Sequence, residues 1–269
     1  MLKTKSIAFL GLVFLLTFAS CTKTISTTTN SRTGSTGGGN PTYRPCSEFV
    51  GLKIKPVKSL ICGEKLLISA DTFDGARFDW TRPDGREDKD QEEIYVTDKA
   101  NIYHRGWYKL WIGYNTCKAI IDSIYVDVKL PQGTPSCSPA NNSASYSNGI
   151  SIPTKNFNTI VSNGNVIEGY NGLGDFKLTF HGYWKSVKLE PGIYYTTHYS
   201  GIGEKDGMDK IYIEDRYANE RWYGEENKPV YVSYVGGKLT ITLCNIPIRA
   251  TTSNGSALNS TVSAKLTLP

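Results

Sequence analysis

The chain has 269 residues, of which 39% are hydrophobic and 12% aromatic, and its formal net charge is +5. The charge belongs to one end, because residues 1–45 contain five basic and no acidic side chains, whereas residues 46–269 contain 25 of each sign. A neutral region without a clustered basic face argues against nucleic-acid binding, which needs Lys and Arg grouped on one side.

Residues 1–20 have the layout of a secretory signal peptide. Lys3 and Lys5 begin it, an apolar run follows at residues 7–18, and small side chains precede Cys21. The run is too short to span a membrane, which takes roughly 18 or more apolar residues. With Cys21 at the cleavage point, the segment resembles a bacterial lipoprotein signal. The resemblance implies that Cys21 is lipidated and anchors the chain to a membrane, with an ordinary secretory signal as the alternative.

Residues 21–45 are rich in Thr, Ser and Gly and show no apolar periodicity. Such a segment cannot bury enough surface to offset its ordering entropy, so we expect a flexible tether with a reach of about 25–30 Å. In some Bacteroidota lipoproteins, acidic residues just after the anchor cysteine mark export to the cell surface, and Thr22, Lys23 and Thr24 offer none. The resemblance to these lipoproteins implies location at the outer membrane, and the sequence is compatible with either its periplasmic or its extracellular face.

Beyond the tether, short alternating segments bounded by Gly, Pro, Asn and Asp predict an all-β fold. Pro131, Gly133 and Pro135 interrupt the strands and divide the chain into domains at 46–130 and 131–269, each large enough for its own core. Strand candidates in the first domain are dense enough to predict a β-sandwich. They are Leu66–Ala70, Arg77–Thr81, Glu93–Val96, Gly106–Tyr114 and Ala119–Val128.

Four short motifs in the first domain resemble the immunoglobulin-like and PKD-like modules of Bacteroidota secreted proteins. They are Ile61–Glu64, Phe78–Trp80, Gly106–Tyr108 and Asn115–Cys117. In those modules a tryptophan packs the core and two cysteines pair, which implies a disulfide between Cys62 and Cys117. Both cysteines lie at strand ends, so the bridge would clamp one end of the sandwich and Trp80 need not stack on it.

The second domain is also predicted to be a β-sandwich. Its strand candidates are Asp175–Phe180, Gly192–Thr197, Lys210–Glu214, Val230–Val235, Lys238–Cys244 and Thr261–Leu268. Gly236 and Gly237 link two of them and predict a tight hairpin, because glycine takes positive φ without a Cβ penalty. The opening Cys137–Asn141 is similar to that of uncharacterised β-sandwich domains at the ends of Bacteroidota lipoproteins, a similarity that implies no activity.

The cysteine count is odd once Cys21 is assigned to lipid, because five cysteines remain for an oxidising compartment. We expect Cys137 to pair with Cys244 inside the second domain, which leaves Cys46 free beside the tether. A rival pairing joins Cys46 to Cys137 and would lock the two domains together. A zinc site is not expected, since no CxxC or close Cys/His spacing is present.

The sequence offers few parts for catalysis. None of the three histidines lies in an HExxH motif or beside a Gly-x-Ser-x-Gly turn. Glu214 and Asp215 are adjacent in a predicted strand and point to opposite faces, so they do not form the facing pair of a glycosidase. The acidic run 84–93 matches no calcium motif and includes Arg86 and Lys89, which favours a solvated turn with local ion pairs. We expect neither an enzyme nor a cofactor.

Aromatic side chains are the main candidates for binding. Tyr217, Trp222 and Tyr223 lie in an irregular stretch and predict an exposed flat patch for a glycan or a surface protein, with core packing as the alternative. Trp107 and Trp111 share one face of a strand, and we expect one of them deep in the sandwich. The sequence thus predicts a lipid-anchored, non-catalytic binding or adhesion module. The alternatives are a glycan-binding accessory lipoprotein of a nutrient-uptake system and a structural envelope spacer.

Overall fold

A computed structural model of the chain describes residues 44–147, 149, 152–172, 175–181, 189–198, 209–217, 219–252 and 255–269. The signal segment, Cys21 and nearly all of the tether lie outside these ranges, so the predictions on them stay predictions. Within the described ranges a single short α-helix, α1 (Cys46–Phe49), precedes a long series of strands. The all-β fold class is confirmed.

The first half of the folded region contains short strands whose buried and exposed residues alternate. They are β1 (Leu60–Ile61), β2 (Leu66–Ser69), β3 (Arg77–Thr81), β4 (Glu87–Asp88), β5 (Glu93–Thr97), β6 (Gly106–Gly113), β7 (Ile120–Val126) and β8 (Val128–Lys129). A 3₁₀ turn, Ile102–His104, precedes β6. This alternation gives each sheet one apolar face, which is the requirement for a sandwich core.

These strands form the two facing layers of a β-sandwich. β2 pairs with β5, while the other layer has the order β4-β3-β6-β7, and β1 runs parallel to β8. Trp80 on β3 fills the core with no exposed surface, and its indole Nε1 donates to the Gln91 carbonyl at 2.7 Å. The core tryptophan of this sandwich is therefore Trp80.

The second half forms one continuous hydrogen-bonded sheet of eleven strands among the residues described. The strands are β9 (Ser143–Ser147), β10 (Lys155–Asn156), β11 (Thr159–Asn163), β12 (Val166–Tyr170), β13 (Asp175–Phe180), β14 (Gly192–Thr197), β15 (Lys210–Tyr217), β16 (Glu220–Gly224), β17 (Pro229–Val235), β18 (Lys238–Thr251) and β19 (Ala257–Thr267). The sheet order is β10-β9-β19-β18-β17-β14-β15-β13-β12-β11, and β16 bridges β15 and β18. The sheet thereby folds over a shared apolar cluster.

The predicted hairpin between β17 and β18 is confirmed. Gly236 and Gly237 have φ values of +58° and +80°, and Val235 pairs with Lys238. Two consecutive residues with positive φ match the turn that suits the twist of paired strands. β18 continues seven residues past the predicted end at Cys244, through a register shift between Leu243 and Ile246.

Two disulfides join described residues, and one differs from the prediction. Cys137 pairs with Cys244, as expected, but Cys117 pairs with Cys46 rather than with Cys62. The Cα atoms of Cys46 and Cys117 are 5.5 Å apart. The predicted Cys62–Cys117 bridge is therefore wrong, and so are the free Cys46 and the rival bridge between Cys46 and Cys137.

The packing of α1 explains the actual pairing. Phe49 is buried against Phe73 and Tyr114, with ring centroids 5.6 and 6.0 Å away, and the Arg44 amide donates to the Tyr114 hydroxyl at 3.2 Å. These contacts hold the helix against the end of β6, next to the loop that carries Cys117. The residues just after the tether thus belong to the sandwich.

Cys62 is the free cysteine of the described chain and lies where the two apolar clusters approach each other. Burial, reinforced by the nearby Asp209 carboxylate, raises the pKa of its thiol to about 12. Arg105 makes an ion pair with Glu190 in this region, with one N–O distance of 3.0 Å, and the Ile193 amide donates to the Pro131 carbonyl at 2.8 Å. Because of its raised pKa, the Cys62 thiol is protonated at neutral pH.

Candidate ligand-binding surface

The central strand β6 separates an apolar core face from an aromatic outer face. Tyr108, Leu110 and Ile112 point inward and are at most 1% exposed. The alternate residues point outward, where Trp107 is 57% exposed and Trp111 is 40% exposed. Four residues of extended strand place the Cα atoms of Trp107 and Trp111 about 13 Å apart along β6.

The neighbouring strand β7 extends this surface. Tyr125 lies opposite Trp107, with ring centroids 5.4 Å apart in an edge-to-face arrangement, and Ile121 lies opposite Trp111. Tyr125 is 46% exposed and Ile121 is 78% exposed. We call Trp107, Trp111, Ile121 and Tyr125 the aromatic face. It presents large apolar side chains together, whereas singly scattered ones are usual on protein surfaces.

Gly113 gives the Trp111 indole its position. A Cβ atom at residue 113 would lie 2.0 Å from the Cη2 atom of the Trp111 ring, so the ring extends directly over the glycine. The backbone of Gly113 is in extended strand geometry, and its role is to leave room for the ring. The indole therefore lies along the strand instead of standing away from it.

Polar side chains border the aromatic face on the β3 and β4 side. They surround an open depression of about 320 Å³ whose floor and walls include Trp111, Ile121, Asp79, Thr81, Glu87, Lys89 and Lys109. Asp79 lies directly across the strand pair from Trp111. The Arg77 guanidinium binds both Asp79 oxygens at 3.0 and 2.8 Å, and the Asp90 amide donates to Oδ1 at 3.2 Å.

These ion pairs fix the charges beside the depression. Hydrogen bonding to Asp79 raises the pKa of Arg77, which holds the guanidinium charge beside the depression. Lys89 pairs with Glu87 at 3.1 Å, which matches the solvated turn with local ion pairs expected for residues 84–93. The depression thus offers fixed hydrogen-bond acceptors and donors next to an apolar ring.

The patch predicted from Tyr217, Trp222 and Tyr223 does not form, and the prediction is wrong. Trp222 is 1% exposed and belongs to the second apolar cluster, the one enclosed by the eleven-stranded sheet, against which the half-buried Tyr217 also packs. Tyr223 points to the opposite face of its strand and lies beside Tyr212, with ring centroids 5.8 Å apart. The reason is that residues 220–224 form strand β16, whose alternation buries Trp222.

The expectation that either Trp107 or Trp111 is buried is also wrong. Trp80 on the neighbouring strand occupies the core instead. The sequence carried a signal for this outcome, because Lys109 lies between the two tryptophans on the same face of β6. A strand face that includes a lysine is the solvent face when the alternate face, here Tyr108, Leu110 and Ile112, is fully apolar.

Neither metal chemistry nor a membrane-spanning helix is evident in the described ranges. No group of three or more His, Cys, Asp or Glu side chains is arranged to hold a metal ion there. No helix among the same residues is long and apolar enough to cross a membrane.

The described fold and surface define an all-β sandwich protein with an exposed aromatic face. No protein-family model matches the chain, and no curated protein matches it.

Proposed function

We propose that this chain is a lipid-anchored, non-catalytic binding module of the cell envelope whose aromatic face takes a carbohydrate ligand. The observation that carries the proposal is the pair of exposed indoles of Trp107 and Trp111, two residues of one strand whose Cα atoms are about 13 Å apart. The lipidation of Cys21 and the tether of residues 21–45 are parts of the same proposal. They would hold the module at a membrane surface while it reorients.

The chemistry of the aromatic face suits a sugar chain. Aromatic rings provide a flat apolar surface against which the C–H face of a sugar ring can pack, at low cost in side-chain entropy. Asp79, Thr81 and Lys109 are close enough to the Trp111 side of the face to line its depression, and their polar groups suit sugar hydroxyls. A ligand that spans both indoles would be an oligosaccharide rather than a single sugar.

The proposal is tested with residues 44–269, which form one compact unit. The unit is applied to a broad glycan array alongside Trp107→Ala and Trp111→Ala variants. Each substitution is expected to weaken binding to the recognised glycan by about tenfold or more, because interface tryptophans dominate binding energy. Tyr95→Ala is the matched control, since Tyr95 is 48% exposed but lies on β5 in the other layer.

A third variant separates the geometry of the face from its composition. Gly113→Val keeps every aromatic side chain but forces the Trp111 ring off the strand, so binding should fall as it does for Trp111→Ala. Absence of any bound glycan from the array would refute the carbohydrate proposal and favour the structural spacer. Equal loss in the Tyr95→Ala control would show that the aromatic face is not the site.

A further inference from the structure

A buried lysine and aspartate meet inside the second apolar cluster. Lys155 on β10 and Asp215 on β15 have no exposed side-chain surface, and the Lys155 Nζ atom is 2.5 Å from Asp215 Oδ1. Lys155 Nζ also donates to the Arg216 carbonyl at 2.7 Å. The two residues are 60 positions apart in the sequence, so their contact ties the β9–β10 edge of the sheet to β15.

The polar atoms around this pair are incompletely satisfied. Asp215 Oδ2, the Tyr146 hydroxyl and the Trp222 indole nitrogen are all buried without a hydrogen bond of normal geometry among the described residues. Trp222 lies directly opposite Asp215 on β16, and Tyr146 is close enough to Asp215 for each to affect the other's proton affinity. Buried polar atoms without partners are rare in folded proteins and call for an explanation.

An ionised pair is costly in such a place. Removing an ammonium and a carboxylate from water carries a large desolvation penalty, which their attraction offsets only with complete hydrogen bonding. Burial raises the pKa of Asp215 above its ordinary value, despite the opposing influence of Lys155. Transfer of one proton from Nζ to the carboxylate removes both charges and leaves a neutral amine beside a neutral carboxylic acid.

We propose that Lys155 and Asp215 condense to an amide, a covalent cross-link between β10 and β15. The Nζ lone pair attacks Asp215 Cγ, the N–C bond forms, and the Cγ–O bond to the protonated oxygen breaks. The second proton lost by nitrogen goes to the departing hydroxyl, which leaves as water. An ammonium and a carboxylate thus become one amide and one water, with no oxidant, reductant or co-reactant.

The geometry favours this reaction in three ways. The Nζ atom already contacts the carboxyl group, as in a near-attack arrangement, for which reacting atoms about 3–3.5 Å apart are typical. The surrounding apolar cluster keeps bulk water away from the product amide. The buried Tyr146 hydroxyl, which has no hydrogen bond of normal geometry, lies near the Asp215 carboxyl group, where the tetrahedral intermediate develops negative charge. The loss of both charges also removes the desolvation cost described above.

Peptide mapping of the full chain tests the cross-link. The chain is reduced, denatured and digested with trypsin. An amide at Lys155 blocks cleavage after that residue, so Leu130–Lys177 should remain whole and be joined to Ile211–Arg216. The joined species should have the summed mass of the two peptides less one water, and its fragmentation should place the bond at Lys155 and Asp215.

Lys155→Arg is the matched control, because arginine keeps a positive charge but does not form this amide. The variant should release free Ile211–Arg216 and be cut after residue 155. The measurement on the unaltered chain decides the proposal even if the variant is unstable. Complete cleavage after Lys155 in the unaltered chain, with Ile211–Arg216 released free, would overturn it.

Discussion

Replacement of Trp222 by alanine should destabilise the protein without altering the aromatic face. Truncation of a buried tryptophan typically costs about 3–5 kcal/mol in free energy of unfolding. Trp222 is 1% exposed inside the second apolar cluster, but its indole nitrogen has no hydrogen-bond partner among the described residues. Removal of the unsatisfied indole N–H offsets part of this loss of unfolding free energy, since a buried polar group without a hydrogen bond destabilises a protein by about 1–3 kcal/mol. We therefore expect a loss of about 3 kcal/mol.

Thermal unfolding followed by differential scanning fluorimetry measures this loss. For a unit of this size, 1 kcal/mol corresponds to about 2–4 °C, so Trp222→Ala should lower Tm by about 6–12 °C. Trp107→Ala should move Tm very little, because exposed substitutions usually change stability by about 0.5 kcal/mol or less. A Trp222→Ala variant with unchanged Tm and abolished ligand binding would refute the assignment of Trp222 to the core.

Further predictions concern the cysteines. Cys46→Ser combined with Cys117→Ser should lower stability by about 4 kcal/mol, the loop-entropy value for a separation of 71 residues, as measured by urea unfolding. Cys62→Ser should cost about 1 kcal/mol or less, and the opposite ranking would restore the Cys62–Cys117 pairing. At pH 8, native Cys62 should react with iodoacetamide about a thousandfold more slowly than in the denatured chain, because its pKa is raised from 9.0 to about 12 and only the thiolate reacts. Equal rates would contradict a buried thiol.

Strands with strong alternation could be predicted from the sequence, whereas weakly apolar strands could not. Arg77–Thr81, Asp175–Phe180 and Gly192–Thr197 begin and end where their patterns predict. Residues 143–170 form four strands that were not predicted, among them Ser143–Ser147, which is mostly serine. Such segments join a sheet because their backbone groups pair with neighbours already in place, such as β19. Their own composition carries little signal.

The exposure of the tryptophans was predicted wrongly for a related reason. Alternation shows that two sets of residues lie on opposite faces of a strand, but it does not show which face another layer will cover. For β16 this choice buries Trp222, and for β6 it exposes Trp107 and Trp111. A tryptophan alone fits either environment, and the polar residue between neighbours, Lys109 on β6, was the better guide.

The Cys46–Cys117 bridge connects the start of the described chain directly to the strands that carry the aromatic face. Cys117 lies in the loop between β6 and β7, the two strands that carry the aromatic face. A pulling force applied at Arg44 is therefore transmitted through the disulfide to the loop between β6 and β7. The residues between Cys46 and Cys117 do not have to carry this force first. Without the disulfide, the same force would detach the sandwich from its N-terminal side, beginning with the segment around Ile54. The Ile54 amide donates to Asp122 on β7 at 2.8 Å. Under the proposed function, in which the tethered module binds a ligand through the aromatic face, this short covalent path lets that face bear tension while the sandwich stays closed.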